Sequence, residues 1–272
     1  MNELLKNRDV SLSTIRHYER QLPDFKRFLD TNGFNEDTFL AYKRWLSSRT
    51  DISVATKNQR LYAVKVVLKE AHRQGQLPNI TEGIKGFREP KGHKKVGFSD
   101  DQIKQIFKDI PDKRLAAMLH LLAYQGLRQQ EIVNMDVSDI TNKTALIKGK
   151  GMDGKELIHL HPKTVAALEV YLSDRKDGPL FVNQSLNGAG RLTTRGLRTI
   201  VTKYLQSKGI KGNLHGFRHW FVTRLVKKAA KEGKSLFWVR EHTRHKSLET
   251  LKCYYDELEL TDDLPAFYAA LD

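Results

Sequence analysis

Four short stretches of the chain carry cationic, imidazole and phenolic side chains at spacings that could act on an anion. Arg128 follows an apolar run and a Gly126 turn, with Glu131 three residues on. An arginine at the mouth of a core, oriented by a carboxylate, makes an anion clamp. Lys150 stands in a Gly-Lys-Gly turn, where the chain can bring an ammonium close to a ligand. His215-Gly-Phe-Arg218-His219 opens a helix, so His215 and Arg218 share one side of its first turn. Free N–H groups and the helix dipole favour an anion there too. His245 precedes Tyr254 by nine residues, with Tyr255 directly after. Taken singly, each stretch has a plainer reading: an i, i+3 ion pair, a solvated lysine, two surface residues on a basic helix, and a late tyrosine pair packed in a core.

The elements that must position these residues can be read from periodicity. Ile15, Tyr18, Leu22, Phe25 and Leu29 form a helical stripe over 11–32, closed by Asn32-Gly33. A second helix is predicted over 36–47, with Phe39, Tyr42 and Leu46 on one face. A third spans 54–74, burying Leu61, Val64, Val67, Leu68 and Ala71 and turning Arg60, Lys65, Lys69 and Arg73 outward. This makes residues 1–88 an all-α bundle. Residues 89–98 hold a proline, two glycines and three lysines without apolar periodicity, which is a linker. Ser99 and Gln102 form a capping box that opens a second domain, 99–272. There a buried helix is predicted over 111–124. A hairpin of 144–148 and 156–160 follows, then helices over 163–173, 194–208, 215–231, 235–242, 247–258 and 263–271. The fold class expected is mainly α with a small β-sheet.

The chain has 272 residues, enough for two domains, and its 39% hydrophobic content supports real cores rather than a disordered basic tail. A single cysteine, Cys253, excludes an internal disulfide and a cysteine-based metal cluster. The apolar run Leu115 to Leu127 is too short to span a bilayer, and the first ten residues lack a signal-peptide core, so a cytoplasmic protein without a membrane partner is expected. Lys and Arg number 47 against 32 acidic residues, a net charge of +15. The excess is concentrated: residues 191–240 hold 13 basic side chains and one acidic one, a net of +12, while 251–272 hold one basic and six acidic, a net of −5. A folded segment this basic faces a polyanion, and nucleic acid is the first partner to expect. Arg60, Lys65, Lys94, Lys95, Arg195, Arg198 and Lys203 are the candidate backbone-phosphate contacts.

Read in order, Arg128, Lys150, His215-x-x-Arg218, His245 and Tyr254 resemble the catalytic set of the tyrosine recombinase (phage integrase) family. Tyr-Gln-Gly-Leu-Arg128-Gln-Gln-Glu131-Ile is similar to its first arginine box, and Leu-His215-Gly-Phe-Arg218-His219 to its second. The N-terminal bundle resembles the family's core-binding, SAM-like domain, so the likeness covers nearly the whole chain. One departure stands out: the family usually has Leu-Gly before the third histidine, and this chain has Thr243-Arg244.

The resemblance implies metal- and ATP-independent strand transfer on duplex DNA through a covalent 3′-phosphotyrosyl intermediate on Tyr254, with no cofactor. Two guanidiniums and an imidazolium, from Arg128, Arg218 and His245, neutralise the non-bridging oxygens as charge builds in the transition state. His215 exchanges the tyrosine proton, Lys150 protonates the leaving 5′-oxygen, and Glu131 orients Arg128 or His215. The sequence holds neither a P-loop nor a carboxylate cluster suited to two metals. The resemblance also implies a C-shaped clamp on DNA and a tetramer bridging two recombination sites. The acidic amphipathic helix at 260–271 is suited to docking on a neighbouring subunit or equally to folding back on its own domain, and accessory proteins are possible partners. The short N-terminal part fits a compact Xer-like or mobile-element enzyme. Two other readings compete, a type IB topoisomerase and a catalytically silent DNA-binding regulator of the same fold.

Overall fold

The computed structural model describes residues 2–6, 9–89, 97–149, 154–183 and 190–255. The chain divides into two compact units, Met1–Gly92 and His93–Asp272. The linker residues 90–96, with Lys94 and Lys95, the hairpin tip with Lys150, and the acidic C-terminal segment 260–271 lie outside the described residues.

The first unit contains α1 (Asn2–Lys6), α2 (Leu12–Glu19), α3 (Pro23–Asn32), α4 (Thr38–Ser48) and α5 (Val54–Arg73). The single helix expected over 11–32 is two. Pro23 has no N–H to offer Glu19, and its ring would meet that carbonyl, so α2 stops and the proline starts α3. The apolar stripe runs on across the break, which is why periodicity alone does not show it. Ser11 and Ser53 cap α2 and α5 through their hydroxyls. Phe25, Phe39, Tyr42 and Leu46 pack with Leu61, Val64 and Leu68 in one core, the Phe25 and Tyr42 rings meeting edge-on at 4.8 Å.

Two basic side chains of α5 depart from the outward positions that the helical stripe gives them. Arg60 turns inward to the buried Asp24 carboxylate, which also accepts from Arg27 and Arg49. Lys65 is half-buried and donates to the Ile84 carbonyl at 2.8 Å.

The second unit begins with α6 (Asp100–Phe107), whose capping box of Ser99 and Gln102 is closed in both directions. It continues with α7 (Lys113–Ala123), α8 (Gln129–Asn134) and a 3-10 turn at Val137–Asp139. Next come β1 (Thr144–Ile147) and β2 (Glu156–His159), then α9 (Pro162–Leu172), α10 (Thr194–Ser207), α11 (Leu214–Lys231), α12 (Leu236–Thr243) and α13 (Glu249–Tyr255). The strands pair antiparallel with Thr144 opposite His159, so Ala145, Ile147 and Ile158 face the core while Leu146 and Leu157 face out. α7 is the centre of the unit: Ala117, Met118, Leu119 and Leu121 are fully buried. A second, smaller cluster joins Val222 and Val226 of α11 to Val239, Leu251 and Tyr254. No helix among the described residues is long and apolar enough to cross a membrane.

Candidate active site

The site is assembled where three chain segments meet. The first is the turn after α7. Gly126 has φ +56°, and a Cβ there would run into the Phe221 ring, so glycine is required twice over. The turn delivers Arg128 to the N-cap of α8, where the Glu131 carboxylate reaches back. Its Oε2 accepts from the Arg128 backbone N–H at 2.8 Å, and its Oε1 accepts from Arg128 Nη1 at 2.8 Å. One carboxylate therefore caps the helix and aims the guanidinium.

The second segment is the start of α11, capped by Asn213 through the His215 N–H. His215 is exposed on the first turn, whereas Arg218 is buried. Arg218 donates to the Gly126 carbonyl at 2.6 Å and to the Thr243 carbonyl at 2.5 Å. It thereby fixes the other two segments against α11. A cavity of about 280 Å³ lies between these segments, lined by Arg128, Gln129, Gln130, His215 and Arg218.

The third segment is the end of α12. Arg244 closes the helix in the left-handed region, at φ +55°, and turns the chain so that His245 faces the arginines. His245 Nδ1 lies 2.6 Å from Thr243 Oγ1. Further on, the Tyr254 ring is buried, 4.7 Å from the His219 ring and 6.3 Å from that of His245.

The electrostatics follow from burying several cations around the Glu131 carboxylate. Burial lowers Arg218 to about 9, helped by Arg128 and Arg244 and opposed by Glu131 and Tyr254. Burial also lowers His245, to about 3, and the positive charge of Arg218, Arg128 and Arg244 pushes the same way. Both effects disfavour the charged imidazolium while no anion occupies the site. For Glu131, burial works upward, but Arg244 and the two Arg128 hydrogen bonds outweigh it and hold the carboxyl below its ordinary value. Among the described residues the site keeps an excess of positive charge, which favours an incoming anion. Among the described residues, no group of three or more His, Cys, Asp or Glu could hold a metal ion.

Of the residues expected from the sequence, Arg128, Glu131, His215, Arg218, His245 and Tyr254 come together here, and Lys150 lies outside the described residues. Arg195, Arg198 and Lys203 are exposed on one side of α10, and Arg198 donates to Gln129 at the cavity rim at 3.3 Å. Sequence reasoning overlooked three participants: Thr243 behind His245, His219 against Tyr254, and Arg244 beside Glu131. The only signals were the second histidine of the His215–His219 box and the mismatch at Thr243-Arg244.

The pattern of the phage integrase family matches residues 98–260, which include every residue of this site. A tyrosine recombinase of Synechocystis sp. is 30% identical over 299 residues, spanning 97% of this chain and 94% of that protein. The chain belongs to the phage integrase family, the tyrosine site-specific recombinases. Tyrosine recombinase XerA of Pyrococcus horikoshii is 26% identical over 254 residues, covering 86% of this chain and 87% of its own length. The mainly helical fold with its small sheet is similar to solved tyrosine recombinases. XerH site-specific recombinase bound to its palindromic difH substrate superimposes with a TM-score of 0.75 at 23% identity, covering 97% of this chain and 82% of that one. A lambda integrase dimer bound to a core site superimposes with a TM-score of 0.71 at 14% identity, covering 95% and 94%.

Proposed function

We propose that this recombinase cuts and rejoins duplex DNA at a specific site through Tyr254. The observation that carries the reading is the convergence of Arg128, Arg218 and His215 on one cavity, with His245 near both arginines and Tyr254 near Arg218. A phosphodiester repels nucleophiles with its own charge. Arg128 and Arg218 take its non-bridging oxygens, and Arg218 does so from a position set by two backbone carbonyls, so little reorganisation accompanies the reaction. The Tyr254 oxygen attacks phosphorus, giving its proton to His215. The bond from phosphorus to the 5′-oxygen breaks, and Lys150 supplies the proton that the 5′-hydroxyl carries away. The 3′-phosphotyrosyl bond keeps the energy of the broken linkage, so attack by a second 5′-hydroxyl reseals DNA without ATP. Protein cations fill the place that metal ions take in other phosphoryl transfers.

The exposed basic side of α10 and the first unit bind the phosphate backbone, the first unit as a core-binding domain. Lys94 and Lys95 of the linker join that contact. Two DNA sites are held by a tetramer whose subunits exchange the acidic segment 260–271, and the protein works in the cytoplasm, where accessory proteins can reach it.

The test is covalent capture. The protein is incubated without divalent metal with nicked duplexes from the DNA flanking its own gene, beside Tyr254→Phe and Tyr255→Phe. The expected result is an SDS-resistant adduct lost only with Tyr254→Phe. Tight, salt-sensitive binding without an adduct points instead to a silent regulator. Relaxation of supercoiled DNA without site preference points to a topoisomerase.

A further inference from the structure

The site holds a third guanidinium that the chemistry above does not use. Arg244 sits at φ +55° and ψ +44°, where a Cβ crowds the following carbonyl and where glycine rests without strain. The turn itself asks for no side chain at this position. The arginine is nevertheless drawn inward, with its side chain 10% exposed and Nη2 3.4 Å from Glu131 Oε2. In return, Arg128 Nη2 donates to the Arg244 carbonyl at 3.3 Å. The start of α8 and the end of α12 are therefore tied in both directions: by the Arg244 side chain to Glu131, and by the Arg128 side chain to the Arg244 backbone. Arg244 Nε is also buried with no hydrogen-bond partner among the described residues. A strained backbone and an unsatisfied buried donor in one residue are two unfavourable features that a glycine would remove together.

We propose that Arg244 is a positioning residue for strand cleavage: its guanidinium holds Glu131, and through that carboxylate and its own carbonyl it fixes the Arg128 guanidinium at the cavity. The proposal rests on the reading that Arg128 grips the scissile phosphate. Arg244 acts on that grip from behind, which explains why its charge is hidden from solvent while Arg128 is 36% exposed. Burial lowers the Arg244 guanidinium, and the charges of Glu131 and Glu156 counter this, as expected for a cation kept in place by carboxylates.

The experiment compares the full-length wild type with Arg244→Gly, Arg244→Lys, Glu131→Gln and the Arg244→Gly/Glu131→Gln double variant. DNA affinity and single-turnover adduct formation on a nicked duplex are measured for each. Arg244→Gly relieves the backbone strain, so it should bind DNA within about twofold of the wild type yet form adduct about tenfold more slowly. Arg244→Lys should recover part of that loss, and the glycine substitution should add nothing in the Glu131→Gln background. Arg244→Gln, which keeps the stem and drops the charge, carries the same comparison should the glycine variant lose its fold. Adduct formation at the wild-type rate in the charge-removing variant overturns the proposal, as does a full additive loss in the double variant. Failure of the wild type itself to form an adduct removes the cleavage reading, and with it the positioning role.

Discussion

His245 Nδ1 lies 2.6 Å from the hydroxyl oxygen of Thr243 at the last turn of α12. That hydroxyl donates to the Val239 carbonyl at 2.8 Å, so its oxygen accepts and the imidazole Nδ1–H is the donor. The bond fixes both the plane and the tautomer of a neutral ring, leaving Nε2 as an acceptor until a proton arrives. On the proposed reading, a phosphate held by Arg128 and Arg218 would favour the charged imidazolium, so substrate binding and protonation of His245 would support each other.

Thr243→Val keeps the side-chain volume and removes this restraint. The variant should lose about 1 kcal/mol of stability, since one buried hydrogen bond goes and the His245 Nδ1–H loses its acceptor. Adduct formation should slow by about tenfold as the ring is released. Thermal melts and single-turnover capture measure the two effects. Normal cleavage by a folded Thr243→Val protein would show that His245 is oriented by something else.

His245 also makes stability depend on pH, with a definite sign. Burial, with the charges of Arg218, Arg128 and Arg244, pushes this group down to about 3 in the folded protein, against 6.5 for the unperturbed imidazole. Between those values the unfolded chain binds a proton that the folded chain refuses. The group's contribution is therefore whole above pH 6.5 and is lost as pH falls toward 3. Denaturant titrations of the DNA-free protein between pH 7 and 4 should show stability declining on the acid side, and His245→Gln should flatten that slope by nearly one proton. Equal slopes in the two proteins would mean that the histidine titrates normally.

Glu131 is the counter-ion that lets two guanidiniums share a buried corner, and it is 2% exposed. Glu131→Gln leaves Arg244 buried beside a neutral amide and weakens the α8 cap. Breaking a buried pair in this way should cost about 3 kcal/mol. Adduct formation should fall more than DNA affinity, because Glu131 is buried behind Arg128 and cannot itself reach a ligand. Urea melts and filter binding separate the two effects, and a loss confined to affinity would place Glu131 at the DNA surface instead.

Much of this was legible in the chain because its strongest signals are local. The twenty residues of α5 repeat their apolar positions often enough to fix the buried face, and Ser99 with Gln102 marks the start of α6. Order, local motif and spacing together aligned the arginine boxes with a known family. What stayed hidden depends on partners distant in sequence. Arg60 reads as an outward basic residue until Asp24, 36 positions earlier, is brought beneath it. The neutral state of His245 follows from burial among Arg128, Arg218 and Arg244, which no local pattern announces. Thr243-Arg244 reads as a mismatch in a motif, and only the helix end gives each residue a task.

Asp24 offers a test of how the first unit is held. Its carboxylate is 5% exposed and accepts from Arg27 at 2.6 Å, from Arg49 at 3.5 Å and from Arg60. Burial raises the nearby Tyr42 phenol, and the Asp24 charge raises it further. Asp24→Asn would leave the half-buried Arg49 and Arg60 around a neutral amide, so a loss of about 3 kcal/mol is expected. Hydrogen exchange should quicken in α3, α4 and α5 while the amides of α7 and α11 keep their protection. Arg60→Gln should behave as a milder version of the same defect. Lys203→Gln, on the exposed side of α10, should leave stability alone and lower the salt dependence of DNA binding by about one counter-ion. A stable Arg60→Gln protein with that reduced salt dependence would instead make Arg60 a phosphate contact.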